Sequence, residues 1–147
     1  MKKITVNVEK MKDSVVLPVY MTDYSSGMDL YASIDGEIVL NSLERALIST
    51  GLKVEIPKGY EFQVRPRSGL AFKNGIGVLN SPGTIDSDYR GEIKVILVNL
   101  SRDPFVVKSG ERIAQMVMCK VEKVHFRVVK KVCGTVRGSG GFGHTGK

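Results

Sequence analysis

Apolar residues recur at every second position through most of this chain, and that period fixes what it can fold into. Ile4-Val6-Val8, Val54-Ile56, Phe62-Val64, Ile93-Val95-Leu97 and Val124-Phe126-Val128 each line one side of an extended backbone, because successive side chains of a strand point to opposite faces. Turn-forming residues punctuate these runs at Asp35-Gly36, Pro57-Lys-Gly59, Asn74-Gly75, Ser81-Pro-Gly83, Arg90-Gly91 and Ser109-Gly110. Many short strands at such close spacing predict an all-β barrel or sandwich. No long amphipathic helix is written in the pattern. One short helix is predicted through residues 69–73, with Ser68 as its N-cap and Asn74-Gly75 as its stop.

The chain has 147 residues, 42% of them apolar, which suits one domain with a real core. Met1-Lys2-Lys3 leads into alternation with no apolar block, so the start reads as a strand and not as a signal peptide. No segment reaches membrane-span length, and a cytoplasmic protein without a membrane partner is expected. Cys119 and Cys133 form no CxxC and have no clustered histidines, so zinc ligation and a redox motif are not indicated and both thiols are expected to be reduced. A net charge of +7 is compatible with nucleic acid, with a nucleotide polyanion or with a basic soluble surface.

The last eleven residues run Arg137-Gly-Ser-Gly-Gly-Phe-Gly-His-Thr-Gly-Lys147, five of them glycine. Such a segment is expensive to order and has little with which to build a core. It nevertheless carries an arginine, an aromatic ring, a histidine and a hydroxyl. Glycine backbone can curl its N–H groups around anionic oxygens, Arg137 can add a charge-assisted fork, and Phe142 offers a face on which a base can stack. On composition alone a solvated tail is the plainer reading. The glycine and lysine spacing imitates a phosphate-binding loop. That loop must open a helix, and here Lys147 ends the sequence.

Four internal segments could carry chemistry. Arg65-Pro-Arg67-Ser68-Gly69 sets a hydroxyl and two arginines at a helix start, which suits phosphate as well as it suits a plain capped turn. Residues 80–92 carry Asp86 and Asp88 at a spacing that shares a face on a strand, with Tyr89 next, between Gly83 and Gly91 as the bounds of a hairpin. A carboxylate in a partly dry cleft can activate water; a polar hairpin tip explains the same residues by turn chemistry alone. Ser25-Ser-Gly27-Met28-Asp29 embeds one acid among small and apolar residues, and Gly110-Glu-Arg112-Ile-Ala-Gln115-Met116 puts an arginine and an amide in an apolar strand. Buried charges must be paired, so Asp29 and Arg112 are expected to have partners.

Taken in order, five segments resemble the five motifs of the trimeric deoxyuridine triphosphatase (dUTPase) family. They are Gly27-Met-Asp29-Leu-Tyr-Ala32, residues 65–76, residues 83–92, Gly110-Glu-Arg-Ile-Ala-Gln-Met116 and residues 137–146. The second, third and fifth are long and specific, and the likeness runs from about residue 17 to the C-terminus. It implies a jelly-roll-like β-barrel over residues 1–136 with one short helix, and a flexible lid arm over 137–147. It implies hydrolysis of dUTP to dUMP and pyrophosphate, with Mg²⁺ as cofactor and a homotrimer whose sites are shared between subunits. By the resemblance Asp86 is the general base and touches the sugar 3′-hydroxyl, and Tyr89 packs under the deoxyribose. Asn80 and the backbone of Gly83, Thr84, Ile85 and Asp86, closed by the returning strand near Lys94, read uracil. Arg67, Ser68, Gly69 and Gln115 contact the triphosphate. Asp29 reaches, through water, a metal held mainly by the phosphates. Arg137 meets the γ-phosphate and Phe142 covers the base, with Gly143 and Thr145 beside it. His144 stands where the family more often has serine, leaving Thr145 as the clearer hydroxyl donor. His125 is expected in a strand outside every motif.

Three rivals remain in view. A dCTP deaminase shares the fold but lacks the Asp86-Ser-Asp88-Tyr89 run. A non-catalytic nucleotide-binding trimer is opposed by the presence of Asp86 and of the fifth motif. A nucleic-acid-binding barrel would interleave aromatics on its strands, and only 7% of residues here are aromatic.

Overall fold

A computed structural model describes residues 3–141 and 143. The described elements are β1 (Asn7–Lys10), β2 (Val19–Tyr20), β3 (Gly27–Tyr31), β4 (Glu37–Leu40), β5 (Arg45–Glu55), β6 (Tyr60–Arg65), α1 (Ser68–Asn74), β7 (Ile76–Val78), β8 (Gly83–Ile85), β9 (Ile93–Asn99), β10 (Phe105–Lys108) and β11 (Arg112–Lys120). They form sheets of order β1-β5-β9-β7 and β2-β3-β11-β6-β8, with a β10-β4 pair. Every pairing is antiparallel. The all-β, jelly-roll-like barrel with one short helix is the expected architecture.

Alternation places the core. Ile93, Val95 and Leu97 turn inward from β9 and meet Leu30, Phe62, Val64, Ala114 and Met116 from the five-stranded sheet in one apolar cluster. Burying each of the larger of these side chains contributes roughly 1.5–3 kcal/mol. The fully buried side-chain amide of Asn99 uses its whole bonding capacity: Nδ2 donates to Leu40 O and Asp103 O, and Oδ1 accepts from Ser101 N and Oγ. It ties the end of β9 to β4 and to the turn that precedes β10.

The pairing of β5 with β9 slips between Ser49 and Leu52. Gly51 sits there at φ +70°, and a methyl group on it would overlap Val15 Cγ2. Thr50 turns inward at the same step, and its Oγ1 donates to Ile93 O at 2.6 Å. The irregularity behaves as a designed bulge that bends β5 and frees the Gly51 N–H for a side chain.

Several sequence expectations change. Arg67, extended at φ −89° and ψ 126°, occupies the cap position, so Ser68 is the first helical residue and no side-chain cap bond forms. Gly75 ends the helix in the left-handed region, as expected, and its N–H reaches Ala71 O and Leu70 O. Asp86 and Asp88 are not on a strand. Tyr89 N donates to Asp86 O, closing a turn over 86–89, since Asp and Ser prefer turn bonding to ladder pairing. Gly83 and Gly91 do not bound a hairpin: β8 pairs with β6, while the hairpin partners are β7 and β9, and residues 79–92 are the excursion between them. At the N-terminus the strand begins at Asn7 rather than Ile4. Val124, Phe126 and Val128, with His125 among them, form no strand and are exposed. Past the bond from Val121 N to Gly59 O the chain leaves the sheet and pairs with no described strand, so its alternation forms none.

Candidate active site

The outer face of the five-stranded sheet carries the first polar cluster. Asp29 on β3, Gln115 on β11 and Arg65 on β6 stand in register across three strands. Asp29 is only 3% exposed. Arg67 Nε donates to its Oδ1 at 3.2 Å and Arg112 NH1 to its Oδ2 at 3.1 Å. Arg67 NH1 also donates to Arg112 O at 3.1 Å. The buried carboxylate is thus paired twice, as its burial requires, and it aims the two guanidiniums.

Beside that anchor the chain is open. A Cβ on Gly69 would meet nothing within 4 Å, so its backbone is accessible to a bulky anion. Gln115 lies over Gly27, its Oε1 3.4 Å from where a Cβ there would stand. The structure therefore brings Asp29, Arg67, Arg112 and Gln115 into one corner, with Ser68 and Gly69 following Arg67 in the chain.

A second group lies in the excursion between β7 and β9. The Asn80 amide covers Gly83, with Nδ2 3.2 Å from the position of a Cβ on that residue. Gly83, Thr84 and Ile85 form β8, and Asp86 follows on the surface. Tyr89 folds back so that its hydroxyl donates to Glu92 O at 3.0 Å. Leu79 N donates to Ile96 O, so the β7–β9 pairing runs on toward Lys94. The Lys94 side chain itself turns to Glu92, Nζ to Oε2 at 3.4 Å.

The two groups lie at different heights along β6, with Gly83 level with Val64, one residue from Arg65. Ile85 is level with Phe62 on β6, whereas Arg65, next to the Asp29 corner, lies three residues further along that strand. At about 3.3 Å per residue this separates them by about 10 Å, and Asp86 continues in the opposite direction. Arg137 makes only a local bond, Nε to Gly140 O at 2.9 Å. Phe142, His144 and Thr145 lie outside the described residues, and Gly143 adopts φ +84°.

Sequence reasoning passed over Glu92. Its Oε1 accepts from Gly51 N at 2.9 Å and its side chain is 13% exposed. The signal was a carboxylate opening the apolar run of β9. The partners of Asp29, expected but unnamed from sequence, are 38 and 83 residues away.

Among the described residues no three His, Cys, Asp or Glu side chains gather as a metal cage. Both Asp29 oxygens are engaged by arginines, leaving it suited to a water-mediated contact only. A small divalent ion that keeps its waters and rides on ligand phosphates fits such a donor set.

Fold and corner together define a β-barrel protein with a basic, glycine-lined corner on the outer face of its five-stranded sheet. The dUTPase family model matches residues 13–146. The chain is 56% identical over 147 residues to the deoxyuridine 5'-triphosphate nucleotidohydrolase of Fusobacterium nucleatum subsp. nucleatum, with 100% of both chains covered. It is 58% identical over 136 residues to that of Cytophaga hutchinsonii, covering 92% of this chain and 88% of the relative. Among solved structures, the Staphylococcus bacteriophage 80alpha dUTPase with dUPNHPP superposes with a TM-score of 0.89 at 24% identity, over 99% of this chain and 100% of that one; this likeness bears on the fold. The chain belongs to the dUTPase family.

Proposed function

We propose that this enzyme hydrolyses dUTP to dUMP and pyrophosphate, with Asp86 driving a water onto the α-phosphate. The observation that carries the reading is full-length identity of 56% to a deoxyuridine 5'-triphosphate nucleotidohydrolase, together with a family match that spans all five motifs. An exposed carboxylate at a turn can hold a water and take its proton, a contribution of about 10²–10⁴-fold. Positioning and charge stabilisation supply the rest. Arg67, Ser68, Gly69 and Gln115 hold the triphosphate, with Asp29 orienting Arg67. Asn80 and the backbone over residues 83–86 read uracil beside Lys94, and Tyr89 packs against the sugar. Mg²⁺, carried on the phosphates and touched by Asp29 through water, neutralises charge on the leaving group.

We also propose a homotrimer with shared sites. The apolar run at 124–128, exposed and unpaired among the described residues, suits docking on another copy, and Asp86 follows β8 in the direction away from the Asp29 corner. In this reading residues 137–147 form a lid arm on the barrel of residues 1–136, bringing Arg137, Phe142, Gly143 and Thr145 over the nucleotide. Free Cys119 and Cys133 suit a cytoplasmic setting. No helix among the described residues is long and apolar enough to cross a membrane. The partner is the small nucleotide, with no nucleic acid or membrane assigned.

Asp86→Asn tests the chemistry. Pyrophosphate release should fall by about 10³-fold, while affinity for a non-hydrolysable dUTP analogue, measured by calorimetry, stays within a fewfold. Unchanged turnover removes Asp86 from the reaction, and ammonia release from dCTP would reassign the enzyme as a deaminase.

A further inference from the structure

Tyr89 is held by its own chain two and three residues on. The hydroxyl end of its ring packs against Gly91, where a methyl group would overlap Oη and Cζ. Its hydroxyl donates to Glu92 O at 3.0 Å. Glu92 is fixed in turn: Oε1 accepts the Gly51 N–H freed by the bulge, Oε2 faces Lys94 Nζ at 3.4 Å, and Thr50 Oγ1 clamps the next carbonyl, Ile93 O. The Tyr89 hydroxyl is therefore connected to β5 through one backbone carbonyl and one carboxylate. Tyr89 itself stands on an exposed turn, where nothing else described here bonds its hydroxyl.

We propose that Gly91 and Glu92 are positioning residues that set the height of the Tyr89 ring, and through it the enzyme's preference for deoxyribose over ribose nucleotides. The inference rests on the reading that Tyr89 faces the sugar. A ring seated on Gly91 leaves a fixed gap above it. A ring pushed off, or released from its carbonyl, no longer defines the space a 2′-hydroxyl would need. Glu92 touches neither substrate nor reacting atoms and acts only through the segment it clamps.

The experiment measures kcat/KM for dUTP and UTP in Gly91→Ala, Glu92→Ala, Glu92→Gln and Tyr89→Ala, with ¹³C shifts of the Tyr89 ring and thermal melts alongside. Gly91→Ala should raise the UTP to dUTP ratio about tenfold and move the Tyr89 ring signals. Glu92→Ala should do the same more weakly, and Glu92→Gln, whose amide oxygen still accepts from Gly51, should restore most of the discrimination. If Tyr89→Ala relaxes discrimination and neither Gly91→Ala nor Glu92→Ala does, the positioning role is wrong. If Tyr89→Ala leaves the ratio unchanged, the sugar reading falls, and unmoved ring signals in Gly91→Ala would then overturn the brace as well. Should Gly91→Ala not fold, the Glu92 pair decides: equal ratios in Glu92→Ala and the unmodified enzyme refute the proposal.

Discussion

In β9, Ile93, Val95 and Leu97 face inward between β5 and β7 and are at most 1% exposed. Over residues 124–128 the same alternation of Val124, Phe126 and Val128 leaves these side chains 74%, 87% and 97% exposed. The two stretches have equivalent strand chemistry, both rich in residues that fit a pleated, half-buried surface. What separates them is pairing. β9 is paired on each side within its own chain, and the later stretch leaves the barrel after Lys120 and pairs with no described strand. Alternation thus states a need for a neighbour and says nothing of where the neighbour is. In the proposed trimer it comes from another copy.

The sharpest way to break this contrast is to place the same charge in both. Val95→Asp puts an unpaired carboxylate in the core, at a cost of about 5 kcal/mol or more, and should abolish cooperative unfolding in a urea titration followed by circular dichroism. Phe126→Asp should leave the barrel's far-ultraviolet spectrum intact; a comparable collapse would mean the segment is core after all. A smaller effect is expected from deleting residues 137–147. The melting curve should hold while dUTP turnover falls on the order of 10²-fold, and mixing the truncated protein with Asp86→Asn should recover part of the activity if sites are shared. The smallest comes from Phe126→Ser with Val128→Ser. This pair should lower the melting temperature by about 3 °C at micromolar protein and weaken its concentration dependence, as read by calorimetry and sedimentation.

The barrel was legible wherever alternation and turn residues agree, as in β6 and β9 and at Gly36, Gly59, Gly75 and Gly110, all of which adopt positive φ. It was not legible where a strand is too short to alternate. Gly83-Thr-Ile85 is three residues long, so β8 joining β6 could not be told from a hairpin arm. Asp86 and Asp88 misled for the opposite reason, since a two-residue spacing also occurs in a turn. At the site, burial of Asp29 was foreseen and its need of partners followed from charge. Arg112 and Arg67 could not be assigned to it, because the contacts depend on β11 lying between β3 and β6. The brace through Glu92 was hidden by the bulge at Gly51, which no local pattern announces.

The shared pairing of Asp29 has an electrostatic consequence. Two guanidiniums answer one carboxylate, so the corner carries two positive charges against one negative, a surplus of one. Its Arg67 side chain is only 23% open to water, so dissolved counterions screen that surplus less than they would a fully solvated charge. For the proposed triphosphate the pull is therefore built into the resting fold, and added salt weakens it less than it would weaken attraction to fully exposed charges.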